Sequence, residues 1–173
     1  MEEDPQGTTL EFKKQVRRNA DYAQYQEYTK YARKETPNTF AKFQNLKYSD
    51  PEKWAKLKTI KRQRETIKNA PCQTTPGKFS GYFLKEGSRH SKEFFDAGYT
   101  ADDILRLRYD MARQFDINKV SDRIFTEKNE EKLIIYMKLG DENKTFRTVW
   151  QKDTPDSKPR IITAYRNRGG REE

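Results

Sequence analysis

Lys132-Leu-Ile-Ile-Tyr-Met-Lys-Leu139, Gly140-Asp-Glu-Asn143 and Lys144-Thr-Phe-Arg-Thr-Val-Trp-Gln151 form the stretch that decides the fold. Two runs rich in β-branched and aromatic residues flank a cluster of turn formers, which predicts a pair of strands joined by a tight turn. Further strands are expected at Val120–Glu127 before this pair and at Arg160–Arg166 after it. Upstream the periodicity is helical. Thr100-Ala-Asp-Asp103 resembles a capping box, with Asp in the place of Glu, and opens a helix that turns Ile104, Leu107, Met111 and Phe115 toward a core. Ser88 to Ala97 reads as a shorter helix, with Gly98 as its left-handed terminator. Lys78 to Leu84 is a short aromatic run. Two helices followed by an antiparallel meander of four strands is an α+β pattern.

The chain before residue 72 has another character. No Pro or Gly interrupts Leu10 to Lys34, and Tyr22, Tyr25, Tyr28 and Tyr31 recur every third residue, as on one side of a helix. Pro37 stops that helix. Phe40, Phe43 and Leu46 mark a short second helix. Asp50-Pro51 starts a third, with Asp50 as cap and Pro51 in the first turn, and with Trp54, Leu57, Ile60 and Ile67 along it. The tyrosine ladder reads as a packing seam rather than a base-stacking platform. The expected organisation is a basic helical extension over 1–71, a linker over 72–77, an α+β domain over 78–168 and a tail over 169–173.

Composition sets the limits. The 173 residues carry 36 Lys and Arg against 27 Asp and Glu, a net charge of +9. Residues 1–70 hold 16 basic and 10 acidic side chains, so most of the excess lies in the helical extension. Such a balance favours a polyanionic partner. The only cysteine, Cys72, cannot form a disulfide within the chain, and with the only histidine, His90, it cannot build a Cys/His zinc site. No run approaches the roughly 20 apolar residues that span a bilayer, and the acidic start Met1-Glu2-Glu3-Asp4 is unlike a signal peptide. Walker, nucleophile-elbow and Rossmann signatures are missing from the sequence. Asp102 and Asp103 are explained by capping. No metal or cofactor is expected, and no membrane partner.

The remaining residues suit RNA cleavage without metal, in which a 2′-OH attacks the neighbouring phosphate. That reaction needs a group to take a proton, one to give a proton, and positive charge on the phosphate. Arg89-His90-Ser91-Lys92 lies at a helix start, where backbone N–H groups favour phosphate. On the last strand Thr163 and Tyr165 share one face, and Arg160, Ile162, Ala164 and Arg166 share the other. Arg147 alternates with Thr148 and Trp150 on the preceding strand. Plainer readings stand beside these. His90 can be an ordinary cap, Arg147 and Arg160 can be edge-strand charges, and Thr163 and Tyr165 are good strand formers. Trp150 reads as core. The basic run Lys53–Lys68, with Lys58, Lys61 and Arg62, is either a solvated helix face or a contact for nucleic acid or capsid. Arg166 and Arg168 of the tail could touch phosphate.

Two stretches carry a resemblance to known proteins. Lys78-Phe-Ser-Gly-Tyr-Phe-Leu84, Arg89-His-Ser-Lys-Glu-Phe-Phe95 and Ala97-Gly-Tyr99 resemble the start of a nuclease-like domain of bacterial polymorphic toxins and phage proteins. Phe146-Arg-Thr-Val-Trp150 and Pro159-Arg-Ile-Ile-Thr-Ala-Tyr165 resemble its end. The wider group is the barnase/EndoU/colicin/RelE-like fold, and the likeness covers about 76–167. Thr39-Phe40, Phe43, Lys47-Tyr48 and Asp50-Pro-Glu-Lys-Trp54 are similar to the C-terminal region of phage minor head proteins.

Together these resemblances imply a phage- or prophage-derived, metal-independent ribonuclease-like protein, in the host cytoplasm or associated with the virion. They imply His90 as acid/base, Lys92 and Arg147 as phosphate stabilisers, and Thr163 and Tyr165 as phosphate or proton-transfer partners. Arg89, Arg160, Arg166, Arg168, Lys58, Lys61 and Arg62 are the expected nucleic-acid contacts. The alternative is a non-enzymatic phage interaction protein that binds nucleic acid, a capsid component or a host protein, the last as a candidate inhibitor. A cognate immunity protein is a further expected partner.

Overall fold

The computed structural model describes residues 5–167 and divides into two compact units, Met1–Glu65 and Thr66–Glu173. The boundary falls within the third helix, upstream of the expected linker.

The first unit holds α1 (Pro5–Tyr31), α2 (Phe40–Ser49) and most of α3 (Pro51–Asn69). Each start follows from its sequence. Thr39 caps α2 by accepting from Lys42 N at 3.2 Å, and Asp50 does the same for Lys53 N at 3.2 Å. The core of this unit is aromatic. Tyr28 stacks on Trp54 at 5.4 Å, and Phe43 meets Trp54 edge-on at 5.6 Å. Tyr25 and Phe40 pack beside them, so most of the tyrosine ladder is a packing seam.

An ion pair with a buried carboxylate joins α1 to α2. Asp21 is 2% exposed and accepts from Lys47 Nζ at 2.7 Å and from the Tyr48 hydroxyl at 2.8 and 2.9 Å. Burial opposes ionisation of Asp21, but the bonds from Lys47 and Tyr48 outweigh it and hold the carboxyl below the ordinary carboxylate range.

After the last turn of α3 the second unit continues with a short helical segment, α4 (Pro76–Lys78), which passes into a π-helical turn over Phe79–Phe83. Then come α5 (Ser91–Asp96), α6 (Ile104–Gln114), and the strands β1 (Asp122–Phe125), β2 (Glu131–Leu139), β3 (Lys144–Lys152) and β4 (Arg160–Arg166). The sheet is an antiparallel meander in the order β1-β2-β3-β4, as the α+β reading requires.

Strand alternation sorts the two faces. Leu133, Ile135, Met137, Phe146 and Trp150 enter a core shared with Phe83, Phe94, Leu107 and Met111. Tyr136, Arg147 and Tyr165 stand on the other face. A bulge between Val149 and Trp150 interrupts the pattern on β4. Ile161, the partner of Trp150, becomes the buried isoleucine. Arg160 pairs with Gln151 and so shares the face of Arg147, not that of Ala164 as simple alternation predicts.

Residues 72–74, expected in a linker, are part of this unit. Gln73 bridges Arg160 of β4, and Cys72 is buried, which pushes its thiol up to about 12. The expected capping box closes one turn early. Thr100 N donates to Asp103 Oδ2 at 2.8 Å and Asp102 N to Thr100 Oγ1 at 3.3 Å, after which α6 starts at Ile104.

The lowered pKa of Asp21 has a defined sign. Its stabilisation is complete above the unfolded value near 4 and is lost as pH falls through the still lower folded value. Asp21→Asn should destabilise the protein by about 1–3 kcal/mol at neutral pH. In denaturant titrations across pH, the gap from wild type should shrink below about pH 4.

Candidate active site

α5 is short, and both of its ends are tied to the sheet. At its C-terminus Gly98 has φ +101°, and a Cβ there would meet Asp141 Oδ2 at 2.0 Å. Gly140 has φ +87°, and its Cβ would meet the Ala97 carbonyl oxygen at 2.3 Å. These two glycines let the helix end touch the β2–β3 turn, where Asp141 N donates to Ala97 O at 2.8 Å. Phe94 stacks on Phe146 of β3 at 4.8 Å and seats the helix on the core face. Next to it the Tyr99 hydroxyl donates to Asp110 at 2.6 Å, and burial together with Asp110 raises it above the ordinary phenol range.

The N-terminal tie is Glu93. Its Oε2 accepts from Arg166 N of β4 at 2.5 Å, and its Oε1 lies 2.6 Å from His90 Nδ1. A carboxylate only accepts, so Nδ1 carries the hydrogen and a neutral imidazole keeps its lone pair on Nε2. His90 is the residue before α5 and has φ +67°, a left-handed conformation costly for a residue with a Cβ. The His90 ring also stacks on Tyr165, with centroids 5.1 Å apart and planes 30° from parallel.

Arg147 completes the group. It is the register partner of Tyr165 and donates to the Tyr165 hydroxyl. Its guanidinium carbon lies 5.7 Å from the centroid of that ring. The Arg147 Nε is enclosed and has no hydrogen-bond partner among the described residues. His90, Glu93, Arg147 and Tyr165 therefore form one half-buried chain of contacts: acid–base pair, aromatic ring, cation.

The other expected site residues divide. Thr163 shares the face of Tyr165 and is half-buried, but no hydrogen bond among the described residues joins it to the group. Lys92 is exposed on α5, and Arg89 is exposed one residue before His90. The start of α5 is no open phosphate cradle, because Ser91 is buried with its hydroxyl on Ser88 O at 2.8 Å, and Glu93 fills the first turn. Arg166 joins through its backbone.

Arg160 is engaged elsewhere, in bonds to Asp153 at 2.8 and 3.1 Å, which lower the Asp153 carboxyl pKa. Lys58, Lys61 and Arg62 belong to the first unit. Lys61 is held between Glu27 and Glu65 at 2.6 Å each, while Lys58 and Arg62 are exposed. Arg168 lies outside the described residues. Glu93 was not among the expected residues, although the spacing His90-x-x-Glu93 across a helix start could have pointed to it.

Among the described residues no three His, Cys, Asp or Glu side chains gather in a way that could hold a metal ion. No helix among them is long and apolar enough to cross a membrane. Comparison with protein families, with curated proteins and with solved structures gives no match.

The left-handed backbone at His90 sets an expectation for stability. His90→Gly should be more stable than His90→Ala by about 1 kcal/mol, the reverse of the usual order, because only glycine adopts this conformation freely. Thermal unfolding of the two variants side by side measures the difference.

Proposed function

We propose that the second unit is a metal-independent ribonuclease-like domain that cleaves RNA by attack of the 2′-OH on the adjacent phosphate. The observation that carries this reading is the convergence of His90, Glu93, Tyr165 and Arg147 in one cluster. In this mechanism Glu93 orients the imidazole, and His90 Nε2 takes the proton from the 2′-OH. Arg147 bonds the phosphate oxygens as charge builds on them. The Tyr165 hydroxyl, polarised by Arg147, gives a hydrogen bond or a proton to the departing 5′-oxygen. Exposed Lys92 and Arg89 add positive charge beside the cluster and draw in the polyanion. The products are a 2′,3′-cyclic phosphate and a 5′-hydroxyl. The likeness of residues 39–54 to phage minor head proteins supports a phage or prophage setting.

A second reading draws on the first unit. There, α1 exposes Phe12 and Val16 beside Lys13, Lys14, Arg17 and Arg18, and α3 exposes Lys58 and Arg62. This suits a non-enzymatic protein that docks through its helices, with nucleic acid or a capsid or host protein as partner.

One assay separates the two. Total RNA and tRNA are incubated with the protein in EDTA, and cyclic-phosphate ends are counted. Cleavage is expected, reduced roughly 100-fold or more in His90→Ala and in Arg147→Ala. An intact protein that leaves RNA uncut while still binding a partner would sink the enzymatic reading. Binding through the helices should weaken steeply with salt as counterions return to the phosphates, and Lys58→Ala with Arg62→Ala should flatten the slope of log affinity against log salt by about 2.

A further inference from the structure

The far side of the sheet holds an open peptide. Even-numbered residues of β2 turn their N–H and C=O toward β1, because the Glu130 carbonyl accepts from Thr126 N at 2.9 Å and the direction repeats at every second residue. The Ile134 carbonyl also accepts from Ser121 N at 2.9 Å. β1 starts at Asp122, so it does not reach the rest of β2. At Lys138 a side chain takes over the role of the missing strand. Lys138 N donates to Gln114 Oε1 at 2.8 Å, and Gln114 Nε2 donates to Lys138 O at 2.8 Å. Tyr136 lies between these two closed positions. Its N–H and C=O face the same edge, and no described residue bonds them. Tyr136 also lines a cleft of about 530 Å³, together with Gln114, Lys119, Ser121, Lys138 and Thr145.

The shape of this vacancy selects its occupant. An added peptide strand needs several alternate residues with open pairs, and here only one is open. What fits is a flat group with one donor and one acceptor side by side. Gln114 shows the match two residues away, where its planar carboxamide spans the N–H and C=O of a single residue. The ring N–H beside a carbonyl in uracil and guanine is the same pattern, and single-stranded RNA presents these edges for readout. Lys119 adds positive charge to the cleft lining.

We propose that this cleft is a nucleobase subsite that takes uracil or guanine by the backbone of Tyr136. The assignment rests on the ribonuclease reading, because one row across the sheet joins the two places. Tyr136 is the register partner of Arg147, and Arg147 is the partner of Tyr165. Neighbouring strands are about 4.8 Å apart. A nucleotide whose phosphate meets Arg147 therefore has the β2 edge one strand away, within reach of its base.

The test observes the Tyr136 amide directly. The full-length chain, labelled with nitrogen-15, is titrated with uridine and guanosine, which carry no phosphate, and followed by two-dimensional NMR. At least one of them should shift the Tyr136 and Ser121 amides. N3-methyluridine and N1-methylguanosine, which lack the ring donor, should not. Ser121→Trp fills the cleft and should abolish the shift with the rest of the spectrum preserved. In cleavage of a dinucleotide it should raise KM roughly tenfold at unchanged kcat, the value of two lost hydrogen bonds. Silence of the Tyr136 amide toward both nucleosides overturns the proposal. So does a shift that survives ring methylation or Ser121→Trp, or a response to an N-acetylated peptide amide in place of the nucleosides. A nucleoside shift in a protein that cuts no RNA would instead count against the ribonuclease reading and leave the subsite standing.

Discussion

The second unit depends on how α5 is held. A helix of six residues has little stability of its own, since forming its first turn costs as much order as its few hydrogen bonds return. Tertiary contacts therefore define it. Phe94 on Phe146 supplies apolar burial, the Gly98–Gly140 approach fixes one end, and the Glu93 carboxylate fixes the other. Because Glu93 bonds β4 with one oxygen and His90 with the other, the tie that places the helix also places the imidazole. Fold and candidate chemistry share a single carboxylate.

The same arrangement explains why a histidine can occupy a left-handed turn. A non-glycine residue there carries a cost of about 1–2 kcal/mol. The Glu93 bond and the Tyr165 stack hold the ring where that backbone puts it. Strain at a site persists when surrounding contacts over-determine it. Arg147 has a related position. It stands between Tyr136 and Tyr165 across the sheet, and its enclosed Nε has no partner among the described residues.

The first unit follows a different logic. Its apolar core is small, with Tyr28, Phe43 and Leu57 as the buried members. Ring–ring contacts and the Asp21–Lys47 pair supplement it. The side chains that read as an undivided basic face are not equivalent. Lys61 is neutralised by two glutamates, whereas Lys58 remains exposed. Charge counted along a chain overstates the charge a surface offers to a partner.

Local signals made much of the architecture legible. The Gly140–Asn143 turn between two β-rich runs, the Asp50-Pro51 start and the glycine after Ala97 each act through neighbouring residues, and each lies where the sequence implies. His90, Arg147 and Tyr165 were legible as chemistry but not as neighbours. The role of Glu93, the open peptide at Tyr136, the capture of Arg160 by Asp153 and the shift of Ile161 into the core were not legible. Alternation along a strand is a local rule, so it signalled no bulge at Val149. A carboxylate's partners and a strand's missing neighbour are decided by chain brought back from far away in sequence. By itself the sequence determined the meander and most element types, though not the helical turns at Pro76–Phe83, because propensity and periodicity are local. Only the tertiary structure decided which charges are paired, which peptide is left open and which four side chains meet, because those depend on long-range packing and register.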